Sequence, residues 1–371
     1  VSSLKNKNIV FRTDASNIIG AGHVMRCLTL ADALHEQGAN CYFICRNHEG
    51  NLIDHIKSRG YFVRALPSCT HITPVRNDHH SWLSTSWEQD AQETIAAITA
   101  LNIKIDWLFA DHYGIDDRWH RTLKSYTKKL AVIDDLADRH FCCDVLIDQL
   151  CHRTNSDYSP LTQHNTQLLL GSEYAMLRSI FHQVRGQAIN KQQQLSSISR
   201  VFISMGGTDL LNATLTSLHI LKNSDIDRDI DVDILVGQQS DYIEKTLDKK
   251  EFAFNIHIHP VTTPVHELML TADIAIGAGG LTAWERCCLG LPTFLITIAQ
   301  NQHNAARALE KQKAAAWLGD ADNFDEAYAV NVFNEYINDI AKLKTLSVNA
   351  TNMVDGLGCQ RIIQKLVELS T

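Results

Sequence analysis

Three features of this 371-residue chain predict an α/β protein built on two parallel sheets. Short apolar runs of strand length alternate with helix-period segments from end to end. The chain is longer than one compact core usually serves, so two domains are expected. A polar, glutamine-rich stretch without clear period, residues 183–199, interrupts the alternation near the middle. The expected division is a first domain over residues 1–185, a linker over 186–199 and a second domain over 200–371.

The elements follow in order. Residues 8–12 read as the first strand. A helix over residues 23–37 comes next, with Val24, Cys27, Leu28, Ala31 and Leu34 on one face. Strands at 41–45 and 61–65 flank a short helix near 52–58, and a polar loop fills 67–86. A helix at 88–101 leads to strand 107–110, helix 116–126 and strands 130–133 and 145–148. Beyond the linker, strands fall at 201–204, 232–236, 255–259, 274–276 and 293–296, with helices between them and a helix-rich tail from residue 323. In such folds ligands sit at the carboxyl ends of strands, and a cleft between the domains is the expected site.

Composition narrows the function classes. Hydrophobic residues are 45% of the chain and charged residues 20%, as in soluble globular proteins. The net charge of -8 argues against nucleic acid, and the basic pairs Lys128-Lys129 and Lys249-Lys250 lie beside acids. No apolar run approaches the roughly 18 residues of a membrane span. The residues ahead of the first strand, Lys5 and Lys7 among them, do not read as a signal peptide. The expected compartment is the cytoplasm, with Cys27, Cys41, Cys45, Cys287 and Cys288 as reduced core residues. The 18 histidines form neither C-x-x-C nor H-E-x-x-H patterns, and His79-His80 and the alternating His257 and His259 read as structural or solvated. No metal and no cofactor is expected.

Three glycine-rich turns carry the chemistry. The first, GAGHVMR over residues 20–26, lets backbone approach a ligand at Gly20 and Gly22 and starts a helix at His23. Met25 stands where a dinucleotide fingerprint has its third glycine. His23 reads either as a base at a helix amino terminus, where the neutral imidazole is favoured, or as a capping residue. The second turn, residues 277–282, offers Gly279, Gly280 and Thr282 to a diphosphate, and Glu285 one turn on can accept from two ribose hydroxyls or simply face solvent. The third, residues 204–209, contains Gly206, with Asp209 or Asn212 as an ordinary helix cap. Residues 111–114 (DHYG) end a strand and can place polar groups in the cleft. Asp134, Asp135 and Asp138 read as a solvated acidic loop, Arg178 can point into the groove between domains, and Asn301 and Gln302 begin a helix.

GAGHVMRCLTLADAL, DHYGID, VIDDLADRHFCCDVLIDQ, SEYAMLR, SMGGTD and AGGLTAWERCCLGLP, in that order, resemble the pseudaminic acid pathway hydrolase family. The resemblance implies a GT-B type fold, two Rossmann-like domains facing across a cleft. It also implies metal-independent hydrolysis of a UDP-linked 2,4-diacetamido-2,4,6-trideoxy sugar to UDP and free sugar. By the same resemblance His23 is the base for water, and Glu285 belongs to the UDP site. Asn301 lies near diphosphate and sugar, Tyr113 lies near the reacting sugar, and Arg178 contacts substrate. The partner implied is the small-molecule UDP-sugar, with no nucleic acid or membrane, and the protein is expected to be a monomer. Leu281 and Ala283 stand where the family commonly has hydroxyl residues, Leu150 where asparagine is usual and Ser179 where proline is expected.

Two rivals stay open. A glycosyltransferase of the lipid-linked peptidoglycan type shares the fold and a glycine turn ending in histidine. Such an enzyme needs a membrane-docking face, and the helix after His23 carries Asp32 and Glu36 instead of a basic stripe. A non-catalytic UDP-sugar binding module would keep Glu285 and its glycine turn without needing His23.

Overall fold

A computed structural model of the chain describes residues 4–69, 72–75, 78–207, 209, 212–237 and 251–370. It divides into two compact units, residues 1–177 with 357–371 and residues 178–356.

The first unit is a seven-stranded parallel sheet. Its strands are β1 (Asn8–Thr13), β2 (Asn40–Arg46), β3 (Phe62–Leu66), β4 (Trp107–Asp111), β5 (Lys129–Ile133), β6 (Val145–Asp148) and β7 (Gln167–Leu170). They lie in the order β3-β2-β1-β4-β5-β6-β7. Parallel strands covered on both faces must be apolar on both, and β4 and β6 are buried at every residue. Phe11 stacks at 5.1 Å on Phe43 and 5.0 Å on Phe109, which ties β1 to both neighbours. Helix Gly22–Glu36 buries Val24, Cys27, Leu28, Leu30, Ala31 and Leu34, a stripe of helical period that packs on the sheet.

The second unit repeats the plan with β8 (Arg200–Ser204), β9 (Asp231–Leu235), β10 (Asn255–His259), β11 (Ile274–Ala278), β12 (Thr293–Thr297) and β13 (Ala316–Asp320). Their order is β10-β9-β8-β11-β12-β13, all parallel. Strand order reverses between β1 and β4 in the first sheet and between β8 and β11 in the second. Ligands of open parallel sheets bind at the carboxyl end of such a switch point. All three glycine turns follow strands at these two places, after β1, β8 and β11.

Two expectations of organisation need correction. The stretch expected as a linker is mostly helix, Ser179–Gln193, and only residues 194–199 are not helical before β8. It buries only Phe181, Ala188 and Gln192, so its sequence shows little apolar period. Polar side chains anchor it instead: Arg185 donates to the Thr351 carbonyl at 2.7 Å, and Lys191 pairs with Asp273 at 2.5 Å. The helix-rich tail also divides. Helices Glu326–Ile337 and Ile340–Met353 stay with the second unit, whereas helix Gly358–Leu369 belongs to the first. Its Cys359, Ile362 and Leu366 join the core that holds Val24 and Leu28. A Cβ at Gly358 would come 2.2 Å from the Ala175 carbonyl oxygen, so only glycine allows this approach. Among the described residues no helix is long and apolar enough to cross a membrane.

Candidate active site

His23 is the second residue of its helix, after Gly22, and makes no cap. The Nδ1 atom lies 2.6 Å from Oδ1 of Asp111, the last residue of β4 and the register partner of Thr13 on β1. An ionised carboxylate only accepts, so Nδ1 donates to it, and in the neutral ring the lone pair then lies on Nε2. Nε2 has no hydrogen bond among the described residues. Arg26, one helical turn after His23, grips Asp111 with both prongs: Nε to Oδ2 and Nη2 to Oδ1, each 2.6 Å. Burial alone would push the Asp111 carboxyl up, but Arg26 and then His23 outweigh it and hold the group well below the ordinary carboxylate range. Asp111 therefore remains an anion against His23.

Tyr113 and Asp135 close the cluster. The Tyr113 hydroxyl donates to Asp135, which also accepts from Arg26 Nη1 at 2.9 Å. The Tyr113 ring meets the His23 ring edge-on, centroids 4.4 Å apart, and Trp82 stands 6.2 Å away on its own edge. Trp82 is fixed by an indole N–H to the Val75 carbonyl, and His79 packs on both Trp82 and Tyr113. These rings hold the imidazole orientation. Tyr113 is 3% exposed, so it touches His23 rather than offering an open hydroxyl. Asp135, expected in a solvated acidic loop, is an ion-pair partner of Arg26.

Beneath this cluster lies a second network with no exposed member at its centre. Asp90 accepts from Arg12 (3.2 and 2.6 Å), Arg46 (2.7 Å) and the Trp119 indole (3.0 Å), and Arg12 also reaches Asp14 at 2.6 Å. It ties β1, β2 and helix Trp87–Leu101 together at the strand ends from which the first glycine turn departs.

Asp134, the neighbour of Asp135, belongs to a third arrangement. The Tyr158 hydroxyl lies 2.8 Å from Asp134 and 2.7 Å from Asp148, one proton facing two carboxylates. Asp148 also accepts from Arg153 Nε at 3.1 Å and from the Leu150 amide at 2.8 Å, yet burial, then Asp135, pushes its carboxyl up to about 8. A carboxyl raised this way stabilises the fold fully below its unfolded value near 4 and loses that contribution as pH rises through 8. Replacing Asp148 with asparagine should therefore let the variant gain stability relative to wild type between pH 5 and pH 8, read from denaturant midpoints. Parallel pH profiles for the two proteins would mean that Asp148 is ionised in the fold.

In the second unit, helix Thr282–Leu289 starts directly from the turn that carries Gly279 and Gly280. Gln302 lies beside that turn, 3.4 Å from where a Cβ on Gly279 would stand, and Asn301 is exposed on the adjoining short turn Gln300–Gln302 after β12. Glu285 is paired through Oε1 with Arg178 Nη2 at 3.5 Å, while its Oε2 is buried without a partner. Burial pushes the Glu285 carboxyl up, opposed by Arg178 and Arg286. Gly206 has φ of +86°, the left-handed turn that only glycine takes freely. Asp209 caps helix Ala213–Asn223 through the Ala213 and Thr214 amides, whereas the Asn212 side chain makes no cap. Thr208 of the same turn and the Lys249-Lys250 pair lie outside the described residues.

The structure thus brings His23 to Tyr113, and Glu285 to Arg178. Arg26, Trp82 and Arg286 escaped the sequence reading. Arg26 alone carried a local signal, standing three residues after His23 and so on the same helical face. Among the described residues no group of three or more histidine, cysteine, aspartate or glutamate side chains could hold a metal ion.

Residues 200–353 match the glycosyltransferase family 28 C-terminal domain. The chain is 25% identical over 306 residues to the UDP-2,4-diacetamido-2,4,6-trideoxy-beta-L-altropyranose hydrolase of Campylobacter jejuni, covering 82% of this chain and 96% of that protein. It is 24% identical over 299 residues to an uncharacterized protein of Methanocaldococcus jannaschii, covering 79% of this chain but only 56% of the relative's length. Against the spore coat polysaccharide biosynthesis protein SpsG of Bacillus subtilis it is 24% identical over 208 residues, 56% of this chain and 60% of that one. Among solved structures, MurG of Acinetobacter baumannii matches with a TM-score of 0.68 at 13% identity, covering 98% of this chain and 99% of that one. The glycosyltransferase CalG4 matches with a TM-score of 0.57 at 14% identity, covering 99% and 98%. With two Rossmann-like parallel sheets and these structural neighbours, the chain has the GT-B fold.

Proposed function

We propose that the chain hydrolyses the anomeric C–O bond of a UDP-linked 2,4-diacetamido-2,4,6-trideoxy sugar with inversion, releasing UDP and the free sugar. The observation that carries this reading is the buried Asp111–His23 pair, which leaves one imidazole nitrogen free as a base. The likeness to the Campylobacter hydrolase supports the substrate class.

In this mechanism His23 Nε2 takes a proton from water as the water oxygen attacks the anomeric carbon. The bond from that carbon to the phosphate oxygen breaks, and its electron pair leaves with UDP. The imidazolium formed is stabilised by Asp111, whose charge Arg26 holds in place. Tyr113 keeps the ring oriented, and the backbone at Gly20 and Gly22 gives the sugar close approach. On the nucleotide side, amides at Gly279, Gly280 and Thr282 receive the diphosphate and the Asn301 amide donates to the departing oxygens. The unpartnered Glu285 oxygen accepts from a ribose hydroxyl beside Arg178, and Gly206 leaves room at the neighbouring turn.

Transfer to a sugar or lipid hydroxyl is the second reading, favoured by the family 28 match over residues 200–353. Turnover of the UDP-deoxysugar in oxygen-labelled water decides between them. Label on the free sugar and none in UDP is the expected result. Label in UDP or UMP would mean attack at phosphorus, and UDP release only with an added acceptor would mean transfer.

A further inference from the structure

Among the described residues, buried arginines follow a rule with one exception. Arg12 and Arg46 share Asp90, Arg26 has Asp111 and Asp135, and Arg139 has Asp134 and Asp138. Arg286 is fully buried, yet no carboxylate pairs with it among the described residues. Its neighbour Glu285 pairs with Arg178 instead. Nη2 of Arg286 donates to the Ala278 carbonyl at 2.6 Å, Nη1 to the Thr282 hydroxyl at 3.2 Å, and Nε has no partner. Burial draws the guanidinium down to about 10, which leaves it charged at neutral pH.

A buried charge that no carboxylate contacts, and that feels Glu285 only through space, costs the fold free energy unless something else is attracted to it. The position of Arg286 says where that attraction acts. The guanidinium spans the turn from Ala278 to Thr282 on its inner side. Gly277 makes room for it, since a Cβ there would come 2.6 Å from Nη1. Above it the helix Thr282–Leu289 begins, with its amide groups and positive dipole end. Dipole and guanidinium act in the same direction on an anion seated at the turn.

We infer that Arg286 is the fixed positive charge of a diphosphate site at residues 278–282, acting from beneath the backbone as a positioning residue. This rests on the nucleotide reading given above and names the group that carries its electrostatics. The contacting counter-ion that Arg286 lacks within the protein is then the ligand itself.

Calorimetric titration of the whole chain with UDP, uridine and inorganic pyrophosphate tests this. Arg286→Met removes the charge and keeps the stem, and it should weaken UDP and pyrophosphate by about tenfold or more while uridine is unchanged. The ligand-free melting temperature of that variant should not fall, because an unpaired buried charge has been removed. UDP binding within twofold of wild type in the Met variant overturns the inference and leaves the nucleotide reading standing. Equal loss of UDP and uridine, or a Met variant that fails to fold, makes Arg286 structural and also overturns it. Wild-type protein that binds neither UDP nor uridine overturns the nucleotide reading, and this inference with it.

Discussion

Replacing His23 with alanine should lower turnover of the UDP-deoxysugar by about a hundredfold or more while UDP still binds. The reason is specific to the pairing at Nδ1. Asp111 fixes which nitrogen carries the proton, so Nε2 faces the reaction with a lone pair, and the charge that develops on the ring meets an anion already in place. Asp111→Asn should be nearly as damaging, because an asparagine can present its amide N–H to Nδ1 and favour the wrong tautomer. The two variants separate base from scaffold. If the Asn variant keeps its fold and UDP affinity but loses turnover, orientation of His23 is the defect. If His23→Ala turns over within a few-fold of wild type, the base lies elsewhere and the proposed mechanism fails.

The second large effect concerns stability. Asp90→Ala removes a carboxylate that two fully buried arginines share, leaving Arg12 with Asp14 and Arg46 with Glu93. Breaking one side of a buried ion pair typically costs about 3–5 kcal/mol. The Trp119 indole loses its acceptor as well, so the first unit should unfold at distinctly lower urea. Burial raises the free energy of the Asp90 charge, but Arg12 and Arg46 outweigh it and hold the carboxyl below its ordinary range. The variant should therefore be destabilised at neutral pH and differ less from wild type in acid. A midpoint shift worth under about 1 kcal/mol would show that the network relaxes around the loss.

The strands were legible because parallel sheets covered on both faces demand unbroken apolar runs. Residues 145–148 fall where the fully buried β6 lies, whereas 255–259, the edge strand β10, show the alternation NIHIH instead. β7 and β13 were missed: Gln167–Leu170 is brief and half-buried, and Ala316–Asp320 contains Gly319. Residues 183–199 read as linker because polar anchors, not an apolar stripe, hold the helix Ser179–Gln193 that occupies most of them. The glycine turns and His23 were visible as local patterns. Asp111 was a soft candidate, and its pairing with His23 across 88 residues of sequence was invisible, since only the sheet order that sets β4 beside β1 brings them together. Arg286 was hidden for a different reason. An arginine inside a helix reads as solvent-facing, and nothing in the sequence shows that a glycine at 277 lets it turn inward.

The return of helix Gly358–Leu369 to the first unit bears on how the chain is made. A ribosome delivers residues 1–177 first, and they would ordinarily fold before the rest emerges. Here the groove under helix Gly22–Glu36 lacks Cys359, Ile362 and Leu366 until the whole second unit has been synthesised. Of the two units, the one made first is thus completed last. During translation it exposes an apolar surface along helix Gly22–Glu36. Premature termination anywhere in the second half would leave that surface open, making the truncated product a substrate for chaperones and proteases even with its first 177 residues intact.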